Sequence, residues 1–327
     1  MEDDGSTGAE AGIRGLDLGE EWKASHEALA FMSGIEPAEL LKCTFSDSLV
    51  TVSEGGRELG KFTVTAEVTR RVQQPCMLLH AQSQGAINDS PCGTTVTAYL
   101  TTDLEVLEED YHEYVKLEGH SLDRRCHMVQ RDGKMLIDKV TTVGEETTME
   151  SVSHPMSVLS GLVTEGSSLL LMRLMALRKT VPEHMTFISL DQGLRIIRTT
   201  FSELAPKQLE VGDETVEVFG VERIVHSVED GPTTWQCYFL ADGHMASRVQ
   251  VGSPVTMRLL QLQSQPKGGF EKIPLVLEED MQMHSNFLAR KFLLLRKPED
   301  VFQFTREYFL PFASRHPPEP SLEAPPH

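Results

Sequence analysis

Lys61-Phe-Thr-Val-Thr-Ala-Glu-Val-Thr-Arg-Arg-Val72 decides the fold. Phe62, Val64, Ala66, Val68, Arg70 and Val72 fall on one side of an extended chain, and Lys61, Thr63, Thr65, Glu67, Thr69 and Arg71 on the other. A period of two with one apolar side is the mark of a strand that buries one face. Upstream, Leu49, Thr51 and Ser53 lead into the turn Glu54-Gly-Gly-Arg57. Downstream, residues 77–83, 94–102, 111–118 and 122–130 repeat the texture. Asp132-Gly133 then sits between alternating runs, a strong hairpin signal, and the chain returns over 134–143.

A helical period interrupts at 155–179, with Leu159, Leu162/Val163, Leu169/Leu170, Leu174 and Leu177 apolar. Glu165-Gly-Ser-Ser168 breaks the run, while Arg173, Arg178 and Lys179 suit a helix C-terminus. The apolar stretch is too short for the roughly 20 residues a bilayer demands. Strands resume at 185–190, 194–201, 216–228, 233–240, 245–251 and 255–262, punctuated by Asp191-Gln-Gly193, Asp230-Gly-Pro232 and Asp242-Gly243. About ten or eleven strands with short connections predict an α+β fold: a curved antiparallel meander, half-barrel-like, around one long helix. The half-barrels of lipoprotein-carrier-type domains are similar in fold, a likeness that carries no function.

The rest of the chain sorts around that body. Residues 1–19 are Gly- and acid-rich and read as disordered. The body spans 20–262 and includes an N-terminal helix marked by Trp22, Ala28, Leu29 and Phe31, then a short one opened by Pro37. Residues 263–277 form a linker that starts Gln-Ser-Gln-Pro-Lys-Gly-Gly269. A helical hairpin occupies 278–313, and 314–327 is a Pro-rich tail that reads as disordered.

Among 327 residues, 40% are hydrophobic and 24% charged, the composition of a protein able to close a sizeable core. A net charge of −19 excludes a general affinity for nucleic acid or anionic membrane, since both reward Lys and Arg. The five cysteines are odd in number and lack a Cys-x-x-Cys pair, and the acidic N-terminus has no apolar core. These features predict a reducing intracellular compartment.

The hairpin carries the functional signal. Met281, His284, Phe287/Leu288, Lys291/Phe292 and Leu295 share one helical face, with Glu278, Glu279 and Asp280 at its N-terminal end. Pro298 separates this run from a second, in which Val301, Phe304/Thr305, Tyr308 and Phe312 form a stripe beside Phe302 and Phe309. Each aromatic ring buries about 150–250 Å² when covered, more than two short helices supply, so a second copy or a partner is expected to cover them. Phe287, Leu288, Phe292, Leu295, Val301, Phe302, Phe304, Tyr308 and Phe309 are therefore the expected partner-docking residues.

Pro298-Glu-Asp-Val-Phe-Gln-Phe-Thr-Arg-Glu-Tyr-Phe309 resembles the second helix of the RIIa-type dimerisation and docking domain, named after the type II regulatory subunit of cAMP-dependent protein kinase. Lys291 on the apolar face and the early Pro311 depart from that pattern. The resemblance implies pairing with a second such hairpin and a groove for an amphipathic anchoring helix. Phe45-Ser-Asp-Ser-Leu-Val-Thr-Val-Ser53, Gly56-Arg-Glu-Leu-Gly60 and Leu295-Arg-Lys-Pro-Glu-Asp-Val-Phe302 resemble the ciliogenesis-associated tetratricopeptide-protein-interacting family. That second resemblance implies a cilium-assembly adaptor whose partners are a tetratricopeptide-repeat protein and axonemal or radial-spoke proteins, with actin organisation as an indirect effect. The places it implies are cytoplasm, cytoskeleton and axoneme, with nucleus and cell membrane besides.

Catalytic motifs fail on their context. Gly55-x-x-x-x-Gly60-Lys61 has phosphate-loop spacing, but Phe62 replaces Ser or Thr and a strand follows. His120 with Cys126-His127 is half a metal site without a second pair, and Cys126 reads as a core residue of a strand. Glu105, Glu108, Glu109 and Asp110 read as a solvated acidic loop. No enzyme activity, cofactor or metal is expected. The alternative to an adaptor is a carrier of an apolar ligand in the concave face, which fails if the 155–179 helix plugs that face completely.

Overall fold

Two short helices open the described chain, α1 (His26–Ser33), capped by the Ser25 hydroxyl, and α2 (Pro37–Leu41), which Pro37 starts. A computed structural model describes residues 22–262 apart from 72–73, 88–89, 118 and 228–230, all within the unit Met1–Gln263. The expected N-terminal segment, linker, hairpin and tail lie outside the described residues. Eight strands then follow: β1 (Ser46–Ser53), β2 (Glu58–Arg71), β3 (Gln74–Ile87), β4 (Ser90–Leu100), β5 (Val106–Leu117), β6 (His120–Arg131), β7 (Lys134–Val143) and β8 (Glu146–Pro155). Helix α3 (Glu165–Arg178) precedes β9 (Thr186–Leu190), β10 (Ile196–Glu203), β11 (Lys207–Val211), β12 (Glu214–His226), β13 (Pro232–Phe239), β14 (Met245–Gln250) and β15 (Val255–Arg258).

The strands join in the order β8-β7-β6-β5-β4-β3-β2-β1-β15-β14-β13-β12-β10-β9, with β11 paired to β12 outside that path. Every strand pair is antiparallel, so the meander expected from the short turns is present. At the β6–β7 hairpin Asp132 and Gly133 both take positive φ, 51° and 74°, as a tight hairpin turn requires. In β2 the decisive alternation holds where the core lies: Phe62, Val64 and Ala66 are buried, but Val68 is 53% exposed because the strand outruns the core.

Helix α3 touches β3 and β4 on one side and β12 and β13 on the other. In strand order β4 and β12 are seven steps apart, about 33 Å across a flat sheet at ~4.8 Å per step. A helix about 10–12 Å wide can meet both only if the sheet curls around it. Lys139 of β7 reinforces the curl by donating to the Gln192 carbonyl in the β9–β10 turn. The edge of β9 is covered as well: Val163 N–H donates to Ile188 and Ile188 N–H to Gly161. No helix among the described residues is long and apolar enough to cross a membrane.

Three readings need correction. The central helix starts at Glu165 and not at 155, because Thr164 and Ser167 form a capping box. Glu165-Gly-Ser-Ser168 is therefore its first turn and not an interruption. Residues 146–155, just before the expected helix, form β8, whose two faces are almost wholly exposed. Among the described residues there are fifteen strands, more than the ten or eleven expected, and β8 and the largely exposed β11 lack an apolar face to announce them.

Every residue of α3 from Gly166 to Ala176 is buried, Arg173 included. Arg173 Nη1 donates to the Cys43 and Phe45 carbonyls at 3.1 and 3.2 Å, and Nη2 to Asp47 Oδ2 at 2.7 Å. Asp47 also accepts from His244 Nδ1 at 2.6 Å and from the Met245 N–H at 3.2 Å. Removing one partner strands a buried charge, so Arg173→Ala is expected to cost about 3–5 kcal/mol in urea unfolding. The helices matter too: Ala28, Phe31, Met32, Ile35 and Leu40 belong to the main core. A fragment spanning 22–262 should unfold cooperatively, whereas one starting at 45 should lose the sharp transition, as circular dichroism against urea would record.

Candidate functional site

The curled sheet and α3 leave one end of the interior unfilled. A cavity of about 380 Å³ lies at the helix N-terminus, within the range of about 300–1,000 Å³ typical of small-molecule sites. Alternation along β5 turns Glu109, Tyr111 and Glu113 inward together. Glu109 accepts from the Thr164 hydroxyl and, at 3.1 Å, from the Gly166 N–H, so a carboxyl from the sheet caps the helix. Gly166 permits that approach: a Cβ there would lie 2.7 Å from Glu109 Oε2 and 2.5 Å from Ala98 Cβ.

On the opposite side of the helix start, Glu165 reaches two arginines. Its Oε1 accepts from Arg223 Nη1 of β12 at 2.6 Å, and its Oε2 stands 3.5 Å from Arg248 Nη2 of β14. Arg223 Nη1 also donates to Ser168 Oγ at 3.0 Å. The Arg248 guanidinium lies 4.2 Å from the Trp235 ring centre and 5.2 Å from that of Phe62. Farther along β5, Tyr111 donates to Glu113 Oε2 at 2.6 Å and Arg124 donates to Glu113 Oε1.

Burial sets the protonation of these groups. It pushes the Glu109 carboxyl up to about 7, against the opposing pull of the Thr164 and Gly166 hydrogen bonds. Burial also works to raise Glu165, but Arg223 and Arg248 outweigh it and hold this carboxylate below its ordinary range. Burial and the Glu113 carboxylate raise Tyr111. The Cys126 thiol, also in the lining, is pushed up to about 12 by burial, which keeps it protonated and weakly nucleophilic at neutral pH. The site thus offers cations and hydrogen-bond donors more than it offers an activated nucleophile.

The expected docking residues Phe287, Leu288, Phe292, Leu295, Val301, Phe302, Phe304, Tyr308 and Phe309 lie outside the described residues. Gly55 to Lys61 sits in the β1–β2 turn and the start of β2, with Lys61 exposed on a strand. Gly60 faces Gly85 across β3, where a Cβ would fall 1.9 Å from the Gln84 carbonyl oxygen, so close strand approach accounts for that glycine. Cys126 and His127 point to opposite faces of β6 and cannot share an ion. Cys126 is half-buried in its strand, as expected.

Of the acidic run only Glu105 is in an exposed loop, just before β5. Glu108, Glu109 and Asp110 lie on β5, where Glu109 is buried and Glu108 faces out to pair with Arg71. Outward-facing Asp110 bonds His127 Nδ1 at 2.7 Å. Ligand atoms of Glu108, Asp110 and His127 lie within 4.8 Å of one another, yet Arg71 and the His127–Asp110 bond already engage them. Sequence reasoning passed over Glu165, Arg223 and Arg248. The available signal was register: Arg223 stands between Val221 and Val225 in an apolar-facing row of β12.

Comparison with known proteins defines the class. The family description "Ciliogenesis-associated TTC17-interacting protein, N-terminal domain" matches residues 27–254. A protein of that name from Danio rerio is 42% identical, covering 93% of this chain and 97% of its own length. Relatives from Xenopus laevis and Homo sapiens are 41% and 33% identical, each over 92% of this chain, with 90% and 87% of their own lengths covered. Among solved structures, a beta-barrel-like protein of domain of unknown function DUF1849 from Brucella abortus has a TM-score of 0.40 at 9% identity, covering 66% of this chain and 95% of its own. The chain belongs to the ciliogenesis-associated TTC17-interacting protein family.

Glu109 gives the site a measurable signature. Its folded pKa near 7 lies above the ordinary 4.5, so the native state holds the extra proton between those values. Stability should therefore fall as pH rises from about 4.5 to 7, by about 3 kcal/mol in all. Glu109→Gln keeps an acceptor for Thr164 and Gly166 but cannot titrate. Urea unfolding at pH 5 and pH 8 should show the wild type losing stability over this interval relative to the variant. Equal pH dependence of the two proteins would refute the assignment.

Proposed function

We propose that this protein is a non-catalytic adaptor in cilium assembly and that it binds a TTC17-type tetratricopeptide-repeat protein. The observation that carries this reading is the family match over 27–254, together with full-length relatives named for that interaction. The cavity chemistry is compatible with it, because the lining carboxylates are engaged by arginines and by the helix start. In this reading the C-terminal hairpin supplies a docking element, with Phe302 and Phe309 turned to the partner. It works in the cytoplasm and at the axonemal cytoskeleton, next to radial-spoke proteins, and influences actin organisation indirectly. A nuclear and a cell-membrane pool belong to the same proposal, on family resemblance alone.

Co-precipitation of the full chain from ciliated cells tests it. The wild type should capture TTC17, and alanine at both Phe302 and Phe309 should weaken capture by about 2 kcal/mol or more, roughly thirtyfold, as hot-spot aromatics do. Undiminished capture by the double variant would move docking to the β body. Failure of the wild type to capture TTC17 would remove the adaptor reading.

A further inference from the structure

The cavity at the start of α3 contains more guanidinium donors than its own carboxylates accept. Glu113 is taken by Arg124 and Tyr111, and Glu109 by Thr164 and Gly166. Lys139 and Asp191 are neutralised by Glu150 and Arg195, which stand outside the lining. One carboxylate, Glu165, is left for two guanidinium groups. It binds Arg223 closely, whereas Arg248 stands at 3.5 Å, beyond an ordinary N–H···O bond. Arg223 and Arg248 are 2% and 8% exposed, and the Nε of each has no acceptor among the described residues. A buried charge short of acceptors is costly, and an adjoining cavity gives the missing acceptor room.

The remaining lining narrows the ligand class. Val96, Met128, Val225 and Met257 give the cavity apolar walls, and the Trp235 ring stacks on Arg248. Guanidinium donors without acceptors beside an apolar chamber suit a monoanion with an apolar body. Two residues on from Glu113 and Arg124, on the same face, Val115, Leu122 and Val143 stand in register across β5, β6 and β7, and Val143 is 49% exposed.

We propose that this cavity is a binding site for an amphiphilic monocarboxylate, whose carboxylate pairs with Arg248 and Arg223 and whose apolar body lies along Val96, Met128, Val225 and Met257. This departs from a plain apolar carrier, because α3 fills most of the concave face and the space it leaves is charged at one end. The inference does not depend on the adaptor reading.

Decanoate is the probe, tested on the full chain carrying Trp22→Phe, so that Trp235 is the one remaining tryptophan. Decanoate should shift Trp235 emission saturably with one site per chain by calorimetry. Decanol and acetate should bind at least about tenfold more weakly, reflecting loss of the charged hydrogen bonds or of the apolar contact. Arg248→Gln should weaken decanoate by a similar factor. Ser83→Phe fills the cavity from β3 and leaves both arginines in place in the sequence, and should abolish binding even where Arg248→Gln fails to fold. Decanol matching decanoate would make the site merely apolar, and acetate matching it would make it a simple anion site. Either result overturns the proposal, as does unsaturable decanoate or wild-type binding by folded Ser83→Phe.

Discussion

The buried ion pair between Arg173 and Asp47 is the constraint on which the rest of this molecule depends. Helix α3 is buried from Gly166 to Ala176, so Arg173 has no water to turn to. The chain answers with two carbonyls just before β1, one carboxylate on β1, and the Phe45 ring 4.2 Å from the guanidinium. Asp47 passes the tie onward to His244 and Met245 at the β13–β14 turn. One side chain thus joins the start of the meander, the central helix and the returning strands. Hydrophobic burial would favour many placements of an apolar helix, but only one rotation and depth satisfies this cluster.

That register decides what happens at the other end. Thr164 precedes Arg173 by nine residues, about 13 Å along a helix. Fixing Arg173 therefore fixes where the capped first turn meets β5 on one side and β12 and β14 on the other. Glu109 and Glu165 both stand at the positive end of the helix dipole, one supplied by the sheet and one by the helix itself. The first is held by hydroxyl and amide donors, the second by guanidinium groups, so two carboxylates at the same helix start acquire opposite protonation tendencies.

How far the sequence reveals this follows from what each residue touches. Alternation announces β2 because Phe62, Val64 and Ala66 meet the core while Thr63 and Thr65 do not. It says nothing of β8, where Glu146, Thr148 and Glu150 are as exposed as Thr147 and Met149 and no period exists to read. The Gly-Ser-Ser that opens α3 lowers helix propensity, which is why it read as a break. Capping chemistry, visible only once Thr164 is counted with Ser167, reverses that meaning. Glu109 was misjudged for a related reason. A carboxylate among other acids reads as solvated, and its burial comes from a helix start 55 residues away in the chain. The docking residues of the hairpin fall where no structure is described, so the sequence pattern and the resemblance it carries alone speak for them.

The late start of α3 is also the physical origin of the cavity. A helix running from Pro155, as its leucines suggested, would be about 15 Å longer and would extend beyond the space that Glu109, Glu165, Arg223 and Arg248 now surround. Instead Thr164 stops the helix, and residues 161–163, still buried, turn aside to lie along β9. The leucines that carried the helical period, Leu159 and Leu162, still reach the core, but from a turn and an isolated bridge. Their burial was therefore read correctly from the sequence and their conformation was not. Apolar spacing reports which side chains seek the core, whereas the capping box determines where the helix ends and the polar chamber begins.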